Sequence, residues 1–304
     1  MLDSSPLRAP PIEYEIVGNP AGPLVVVLGG ISADRHVCAH SGDDRAGWWD
    51  SFVGPGRPVD TTHCQVLSFD YLSGDSVVTT DDQARCLADV LYQLGLEAID
   101  LLIGASYGGM VGLAFASLFP DRLGRALVIG AAHESHPMAT ALRAIQRRIV
   151  RLGLETGDEA EAMAIARALA ITTYRTASEF RGRFSNLPDE SSGELRFPVE
   201  DYLDYQGRKF ADRFSSERFL CLSESLDLHR VDPATITTPV TLVAIEEDAV
   251  VPAWQVRELY CLLGAGHGLI EIHSQYGHDA FLKETQAISS ILNRTLEKVS
   301  RQHA

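Results

Sequence analysis

A serine in a glycine-rich turn is the first group in this chain with an evident chemical use. The segment Gly104-Ala105-Ser106-Tyr107-Gly108 matches the pattern G-x-S-x-G. An apolar, strand-like run precedes it and a helix-like run follows, and in that context a tight turn exposes the serine hydroxyl at the edge of a sheet. The pattern also occurs by chance, where a serine only caps a helix. The surrounding strand and helix favour Ser106 as a nucleophile.

A nucleophilic serine needs hydrogen-bond donors for the oxyanion that forms when it attacks a carbonyl carbon. One donor is the backbone N–H of the residue after the serine, here Tyr107, and the second comes from the loop after an earlier strand. That loop begins at Gly30-Ile31, close behind the apolar run Leu24–Leu28. We therefore predict an oxyanion hole at Tyr107 and at Gly30 or Ile31, with an ordinary strand exit as the alternative for the glycine.

The serine also needs a general base, and the chain offers ten histidines. His278 lies between the last strand-like run and the last helix-like run, where the chain order of nucleophile, acid and histidine places the base. His133 and His136 precede every suitable acid, and His267 and His273 suit structural or solvated positions. We predict His278 as the base.

The residue that orients this histidine is expected in the loop after the apolar run Val240–Ile245. Three carboxylates occupy that loop: Glu246, Glu247 and Asp248. Asp248 is favoured because Val-Val-Pro follows it and starts the next helix, and Glu247 is the alternative.

The segments around these residues alternate between two patterns. Strand-like runs cover Ile12–Val17, Leu24–Leu28, Gln65–Phe69, Ile99–Ile103, Arg125–Ile129, Val240–Ile245 and Leu269–Ile272. Helix-like runs cover 79–94, Tyr107–Phe119, Ala253–Leu263 and about Asp279 to Val299. This alternation predicts an α/β fold in which helices cover both faces of a mostly parallel central sheet.

The alternation stops between residues 137 and 230. That stretch has no convincing strand, and it contains helix-like runs at Met138–Leu152, Asp158–Thr173, Val199–Phe214 and Ser216–Leu226. We predict an α/β core formed by residues 1–136 and 231–304, interrupted by a helical lid insertion at 137–230.

Composition excludes several classes of function. The chain has 304 residues and a formal charge of −15, from 26 Lys+Arg against 41 Asp+Glu, which disfavours nucleic acid and anionic membranes as partners. No apolar run is long enough to span a membrane, and the N-terminus does not read as a secretory signal. The five cysteines have no metal-type spacing. We expect a cytoplasmic enzyme with no bound metal and no bound cofactor.

Several longer sequence segments indicate a particular protein family. They are GWWD at 47–50 with GPGRP at 54–58, SYGGM at 106–110, VEDYLDYQG at 199–207 with KF and RF behind it, LDLH at 226–229 and GHDAFL at 277–282. Over most of its length the chain resembles the homoserine O-acetyltransferase family of the α/β-hydrolase superfamily. The resemblance implies an α/β-hydrolase fold and acyl transfer from acyl-CoA to the hydroxyl of L-homoserine, in methionine biosynthesis. A few close relatives use L-serine as acceptor.

The resemblance also assigns roles to single residues. Ser106, Asp248 and His278 correspond to the family's catalytic triad. Asp279 is implied to pair with the ammonium of the acceptor, and Arg175 with its carboxylate, which a guanidinium binds through two parallel hydrogen bonds. The alternatives are a lid ion pair for Arg175 and a helix cap for Asp279.

The acyl donor depends on the residue two positions after the triad aspartate. Relatives that use succinyl-CoA tend to carry an arginine there, and this chain has Val250. An apolar side chain suits an acetyl group, so acetyl-CoA is the predicted co-substrate and succinyl-CoA the alternative. A plain esterase or thioesterase with the same triad is the competing class of function.

The lid is predicted to have two further roles. Its helices are apolar enough for a subunit contact, and relatives pair through this region, so we expect a homodimer. Arg143, Arg147, Arg148 and Arg151 cluster on its first helix, where they are candidates to meet CoA phosphates, with a solvated face or subunit contact as the alternative.

Overall fold

The computed structural model describes residues 12–74, 76–188 and 195–301. Our expectation for the extreme N-terminus lies outside these residues. At the centre is a seven-stranded sheet of order β1-β3-β2-β4-β5-β6-β7, parallel except for the antiparallel pair β1 and β3. The strands are β1 Tyr14–Gly18, β2 Leu24–Leu28, β3 Gln65–Phe69, β4 Leu101–Ala105, β5 Ala126–Ile129, β6 Val240–Ile245 and β7 Gly268–Ile272. The predicted α/β fold with a mostly parallel sheet is confirmed.

Ten α-helices surround the sheet in the described parts of the chain. They are α1 Thr80–Gln93, α2 Tyr107–Leu118, α3 Pro137–Thr156, α4 Glu159–Tyr174, α5 Ala177–Arg183, α6 Pro198–Ala211, α7 Ser216–Leu228, α8 Ala253–Leu263, α9 Ala280–Lys283 and α10 Thr285–Ser300. None of the helices in these parts is long and apolar enough to cross a membrane.

The inner strands are buried along their whole length because helices cover both faces of the sheet. Every residue of β2, β4, β5 and β6 is buried, and for that reason these strands read as near-continuous apolar runs, with Thr241 of β6 as the one polar residue among them. Side chains on the two faces belong to two separate core clusters. The catalytic candidates follow the carboxyl ends of β4, β6 and β7, which meet at one edge of the sheet.

Five helices, α3 to α7, lie in the chain between β5 and β6. Among them α4 packs on α3 and α6, and α3 also packs on α7. They enclose a small apolar cluster of their own, formed by Val150, Met163, Ala166, Phe210 and Phe219. The division into a core at 1–136 and 231–304 and a lid at 137–230 remains a prediction.

Two local predictions were wrong. Helix α5 was missed, because a seven-residue polar segment carries too few apolar side chains to show a helical period. The last helix is not continuous: it is divided into a 3₁₀ turn at Gly277–Asp279, α9 and α10, with the break at Glu284. Neither glycine nor proline marks that break in the sequence.

Candidate active site

Ser106 lies in a strained turn between β4 and α2. Its backbone φ is +55°, the only positive φ at a non-glycine position in the described residues, and such a conformation costs about 1–3 kcal/mol. The flanking glycines are needed for close approach. A Cβ at Gly104 would lie 2.2 Å from the carbonyl oxygen of Gly108, and a Cβ at Gly108 would lie 2.3 Å from that of Leu28. The turn lifts the serine hydroxyl out of the sheet edge.

The structure brings the three predicted triad residues together. His278 Nε2 lies 2.8 Å from Ser106 Oγ, and His278 Nδ1 lies 2.6 Å from Asp248 Oδ2. Oδ1 of Asp248 accepts the backbone N–H groups of Val250 and Val251 at 2.8 and 2.9 Å. With both carboxylate oxygens occupied, the aspartate is fixed and Nδ1 of the histidine carries the proton. Nε2 is then free to accept the proton of the serine.

The charge and hydrogen bond of Asp248 make His278 suitable as a general base. Burial alone would disfavour a charged imidazole, but the adjacent Asp248 carboxylate and its hydrogen bond raise the pKa of His278 above its ordinary value. Both side chains are almost fully buried. The imidazolium that forms when the serine loses its proton is therefore stabilised in place.

The two other carboxylates of the acid loop point to different partners. Glu247 accepts the backbone N–H of Ser274 at 2.8 Å and contacts His273 Nδ1 at 3.0 Å. Glu246 pairs with Arg257. Of the three, only Asp248 reaches His278.

The predicted oxyanion donors lie beside the serine. Gly30, Ile31 and Ser106 line the same cavity. Within the described backbone, the N–H groups of Tyr107 and Ile31 have no hydrogen-bond acceptor, whereas the N–H of Gly108 is bound to Gly29 O at 2.8 Å. The N–H of Gly30 likewise has no acceptor in the described backbone, so Tyr107 and either Gly30 or Ile31 remain candidate donors to a developing negative charge.

The two predicted acceptor-binding residues contact each other. Arg175 Nε donates to Asp279 Oδ2 at 2.6 Å, and Nη1 donates to Glu179 Oε1 at 2.6 Å. Asp279 lines the cavity, whereas Arg175 does not line it and lies behind Asp279 in this ion pair. The arginine side chain is 9% exposed, so it is well shielded from solvent.

The cavity above Ser106 is walled by both the core and the lid. Val250 and Val251 come from the acid loop, and Met110 from α2. Lid side chains complete it: Ala139, Leu142, Arg143, Gln146, Arg167, Thr173, Tyr174, Phe219, Ser223 and Leu226. The ring centroid of Tyr174 lies 5.7 Å from that of His278. Sequence reasoning missed both Tyr174 and Arg167 as cavity residues, because helical periodicity does not show which face meets a distant histidine.

The arginine cluster predicted on α3 does not form one exposed patch. Arg143 and Arg147 are buried and both pair with Asp227, and Arg151 pairs with Glu224. Of the four arginines Arg148 alone is exposed without a partner in the described residues. A surface for CoA phosphates made of all four is therefore excluded.

Two of the sequence segments that resemble the family, GWWD and GHDAFL, are in contact in the structure. Trp49 Nε1, from GWWD, donates to the carbonyl oxygen of Phe281, from GHDAFL, at 3.0 Å. Asp50 accepts the N–H groups of Ala39 and Gly47. This contact supports the segment that carries His278.

One cluster of described residues has the donor set of a metal site. The candidate ligand atoms of Glu15, His36 and His40 lie within 4.8 Å of one another. His36 Nδ1 contacts Glu15 Oε1 at 3.1 Å, and this hydrogen bond and charge, with a hydrogen bond to Arg45 O, raise the pKa of His36 despite its burial. A hydrogen-bonded histidine–carboxylate pair accounts for the contact, and none of the three residues lines the cavity.

Sheet order, serine turn and histidine position together define an α/β hydrolase. The profile of the α/β hydrolase fold family matches residues 24–285. A crystal structure of esterase E22 shares the fold with a TM-score of 0.83 at 18% identity, covering 93% of each chain.

Similar proteins of known name indicate which α/β hydrolase family the chain belongs to. The chain is 41% identical over 289 residues to a homoserine O-succinyltransferase of Xanthomonas campestris pv. campestris, covering 94% of this chain and 78% of that protein. It is 32% identical to a homoserine O-acetyltransferase of Mycolicibacterium smegmatis, covering 92% and 85%. The chain therefore belongs to the homoserine O-acyltransferase family of the α/β hydrolases and is an enzyme.

Proposed function

We propose that this enzyme transfers an acyl group from acyl-CoA to the hydroxyl of L-homoserine, in methionine biosynthesis in the cytoplasm. The observation that carries the proposal is the position of the Arg175–Asp279 ion pair next to the Ser106–His278 pair. A hydrolase needs only the triad, whereas an amino-acid acceptor needs one cation and one anion beside it. The names of the relatives point the same way.

In the first half-reaction His278, oriented by Asp248, takes the proton of Ser106. The serine oxygen attacks the thioester carbonyl of acyl-CoA. The N–H groups of Tyr107 and of Ile31 or Gly30 stabilise the oxyanion. His278 then gives its proton to the departing thiolate, and CoA leaves behind an acylated serine.

In the second half-reaction the amino acid enters with its charges separated. Its ammonium pairs with Asp279 and its carboxylate with Arg175, which leaves the side-chain hydroxyl directed at the acyl-enzyme. His278 removes the hydroxyl proton as the ester forms, and returns it to Ser106 when the serine leaves. Water competes for the same acyl-enzyme, so the lid that covers the cavity favours transfer over hydrolysis.

Both apolar and cationic side chains line the cavity that receives the acyl group. Val250 lies in it and suits the methyl end of an acetyl group, which supports acetyl-CoA as the donor predicted from sequence. The lid contributes two arginines, Arg143 and Arg167, to the same cavity, so succinyl-CoA is the alternative donor. L-serine is the alternative acceptor.

Release of free CoA tests the proposal. We expect release that requires L-homoserine in the steady state, and a single burst of CoA without it. Continuous CoA release in the absence of any amino acid, unchanged when L-homoserine is added, would instead identify a thioesterase.

A further inference from the structure

The loop behind β2 that carries two candidate oxyanion donors has little apolar packing of its own. None of residues 30–35 is buried. The positions of the N–H groups of Gly30 and Ile31 therefore depend on the hydrogen bonds that hold this loop. An oxyanion hole stabilises the transition state because its donors are in place before the reaction, so the groups that hold the loop bear on catalysis.

Tyr71 holds the first peptide group of the loop. Its hydroxyl donates to the carbonyl oxygen of Gly29 at 2.7 Å, and the N–H of Gly108 donates to the same oxygen at 2.8 Å. This peptide group is trans, so its C=O and its N–H lie in one plane and point in opposite directions. The two donors to the carbonyl oxygen therefore also fix the direction of the Gly30 N–H.

The second peptide group of the loop is tied to the first. The carbonyl oxygen of Gly30 accepts the N–H of Ala33 at 2.9 Å, which closes a turn and directs the N–H of Ile31. A Cβ at Gly29 would lie only 2.6 Å from the Cβ of Ala33. The turn thus folds back directly onto the peptide group that Tyr71 holds, and the hydroxyl of Tyr71 supports both candidate donors.

Tyr71 is itself fixed in the core. It is 3% exposed, and its ring packs edge-on against the ring of Tyr107 with the centroids 4.8 Å apart. Tyr107 carries the other predicted oxyanion donor on its backbone. Burial raises the pKa of Tyr71 well above its ordinary value, so the phenol keeps its proton and remains a hydrogen-bond donor.

The residue before Tyr71 holds the other end of the loop. Asp70 accepts the backbone N–H of Arg35 at 2.7 Å. Two consecutive residues behind β3 therefore anchor the segment 29–35 at both ends.

We propose that Tyr71 is a positioning residue of the oxyanion hole, which acts through the peptide group of Gly29. Tyr71 does not line the cavity, so it acts without touching the substrate. This inference rests on the acyl-enzyme chemistry of the proposed function and adds a residue to it. The competing explanation is a purely structural one, because a buried tyrosine hydroxyl finds a hydrogen-bond partner in most folds.

Tyr71→Phe removes the hydroxyl and keeps the ring against Tyr107. We expect kcat to fall by about 5- to 50-fold, less than the roughly 10²- to 10³-fold loss that follows removal of an oxyanion donor itself. An oxyanion forms in both half-reactions, so rapid quench should show acylation of Ser106 and transfer to L-homoserine slowed to a similar extent. The KM values for both substrates should therefore change little.

Infrared difference spectroscopy reports on the oxyanion hole directly. The acyl-enzyme is formed without L-homoserine from acetyl-CoA or succinyl-CoA that is isotope-labelled at the thioester carbonyl. Hydrogen bonds from the hole lower the stretching frequency of the acyl carbonyl, so we expect a higher frequency in Tyr71→Phe than in the wild type. Asp70→Ala, which frees the loop at Arg35, should shift the frequency in the same direction.

Thr295→Val is the matched control. Thr295 also donates a buried hydroxyl to a backbone carbonyl, that of Ile291 at 2.8 Å in α10, and it does not line the cavity. We expect this variant to lower the midpoint of thermal unfolding and to leave kcat and the carbonyl frequency at their wild-type values.

Two results would overturn the role of Tyr71. An unchanged kcat and an unchanged carbonyl frequency in folded Tyr71→Phe would leave it a structural role only, and so would a loss of kcat that Thr295→Val reproduces. If neither donor acylated the wild type, the proposed function would fail and the role of Tyr71 with it. CoA release that ignores L-homoserine would contradict acyl transfer alone, since the carbonyl frequency decides the role of Tyr71 in a hydrolase as well.

Discussion

Arg175 Nε donates to Asp279 Oδ2 at 2.6 Å, next to the histidine that contacts Ser106. The arginine directly follows α4 of the lid segment, and the aspartate follows His278 in the core, so one ion pair joins lid segment and core. Under the proposed function, a zwitterionic amino acid enters this pair by exchanging partners: its carboxylate binds the arginine and its ammonium binds the aspartate. In this pair the charge of each side chain is compensated by the other.

Replacing this arginine should affect the second half-reaction far more than the first. In Arg175→Ala we expect the KM for L-homoserine to rise by about 10- to 100-fold, because a bidentate contact is lost. The burst of CoA release on acyl-enzyme formation should remain, as seen by rapid quench. Since Glu179 also loses a partner, Arg175→Lys serves as the variant that keeps the charge. Loss of the burst together with turnover would mean that Arg175 acts in acyl-enzyme formation.

Removing the nucleophile should abolish transfer without unfolding the protein. We expect Ser106→Ala to lower kcat by about 10⁴-fold or more. Ser117→Ala is the matched control, because this serine of α2 contacts Thr235 and does not line the cavity. Near-normal turnover in a folded Ser106→Ala protein would rule out the triad.

The pH dependence of the reaction should follow His278. Its imidazole must be neutral to accept a proton, and its pKa is raised above 6.5 by Asp248 against the effect of burial. We therefore expect kcat/KM for the donor to rise with pH through a midpoint above 6.5. In Asp248→Asn the carboxylate is gone while the burial remains, so the midpoint should move to lower pH, with activity reduced by about 10³- to 10⁴-fold. An unmoved midpoint would assign the titration to another group.

His229 should make the fold sensitive to mild acid. Burial lowers the pKa of this histidine to about 4. Its Nδ1 accepts from the Thr80 hydroxyl at 2.8 Å and its Nε2–H donates to Ala132 O at 3.1 Å. The unfolded chain takes up a proton below pH 6.5 and the folded chain does not, so stability is lost as the pH falls. Between pH 7 and pH 5 this loss is about 2 kcal/mol.

Denaturant unfolding at several pH values measures this effect. The free energy of unfolding of His229→Gln should fall less steeply with decreasing pH than that of the wild type. Parallel curves for the two proteins would show that His229 is protonated equally in both states.

The lid should form the contact of a homodimer. Along α3 the apolar side chains of Ile145 and Leu152 are 49% and 60% exposed and lie seven residues apart, on one face of the helix. We expect sedimentation velocity to give a dimer at micromolar concentration and Leu152→Glu to give a monomer. Tyr92→Glu, at an exposed aromatic position on α1, should leave the dimer intact. A monomeric wild type would contradict the prediction.

The sequence allowed the sheet and the serine turn to be predicted because their signals are local. Strands β2, β3 and β6 have the predicted bounds, since strands buried on both faces read as near-continuous apolar runs, broken here only by Gln65, Ser68 and Thr241. At Ser106 the motif, the strand before it and the helix behind it lie within a few residues of one another. Helix α1 begins at a capping box formed by Thr79 and Asp82, at the start of the predicted helix-like run 79–94.

The charges of the cavity could not be predicted in the same way, since their partners are distant in the chain. Arg143 and Arg147 stand four residues apart on one face of α3, which suggested an exposed patch. Their shared partner, Asp227, is 84 residues from Arg143 and belongs to another helix. The packing of α7 on α3 buries Arg143 and Arg147, and it places one carboxylate, that of Asp227, between the two arginines.

The sheet order has a consequence for synthesis on the ribosome. Strand β5 ends at Ile129 and pairs on one side with β4, but its other neighbour, β6, begins at Val240. At roughly 5–20 residues per second the growing chain needs about 5–20 s to supply that neighbour. Throughout this interval a wholly apolar strand keeps an open edge, which invites pairing with other chains. Helices α3 to α7 are synthesised during this interval, and they are the nearest part of the chain that can cover the open edge of β5. The lid segment can therefore protect the nascent chain from wrong strand pairing before it covers the active site of the folded enzyme.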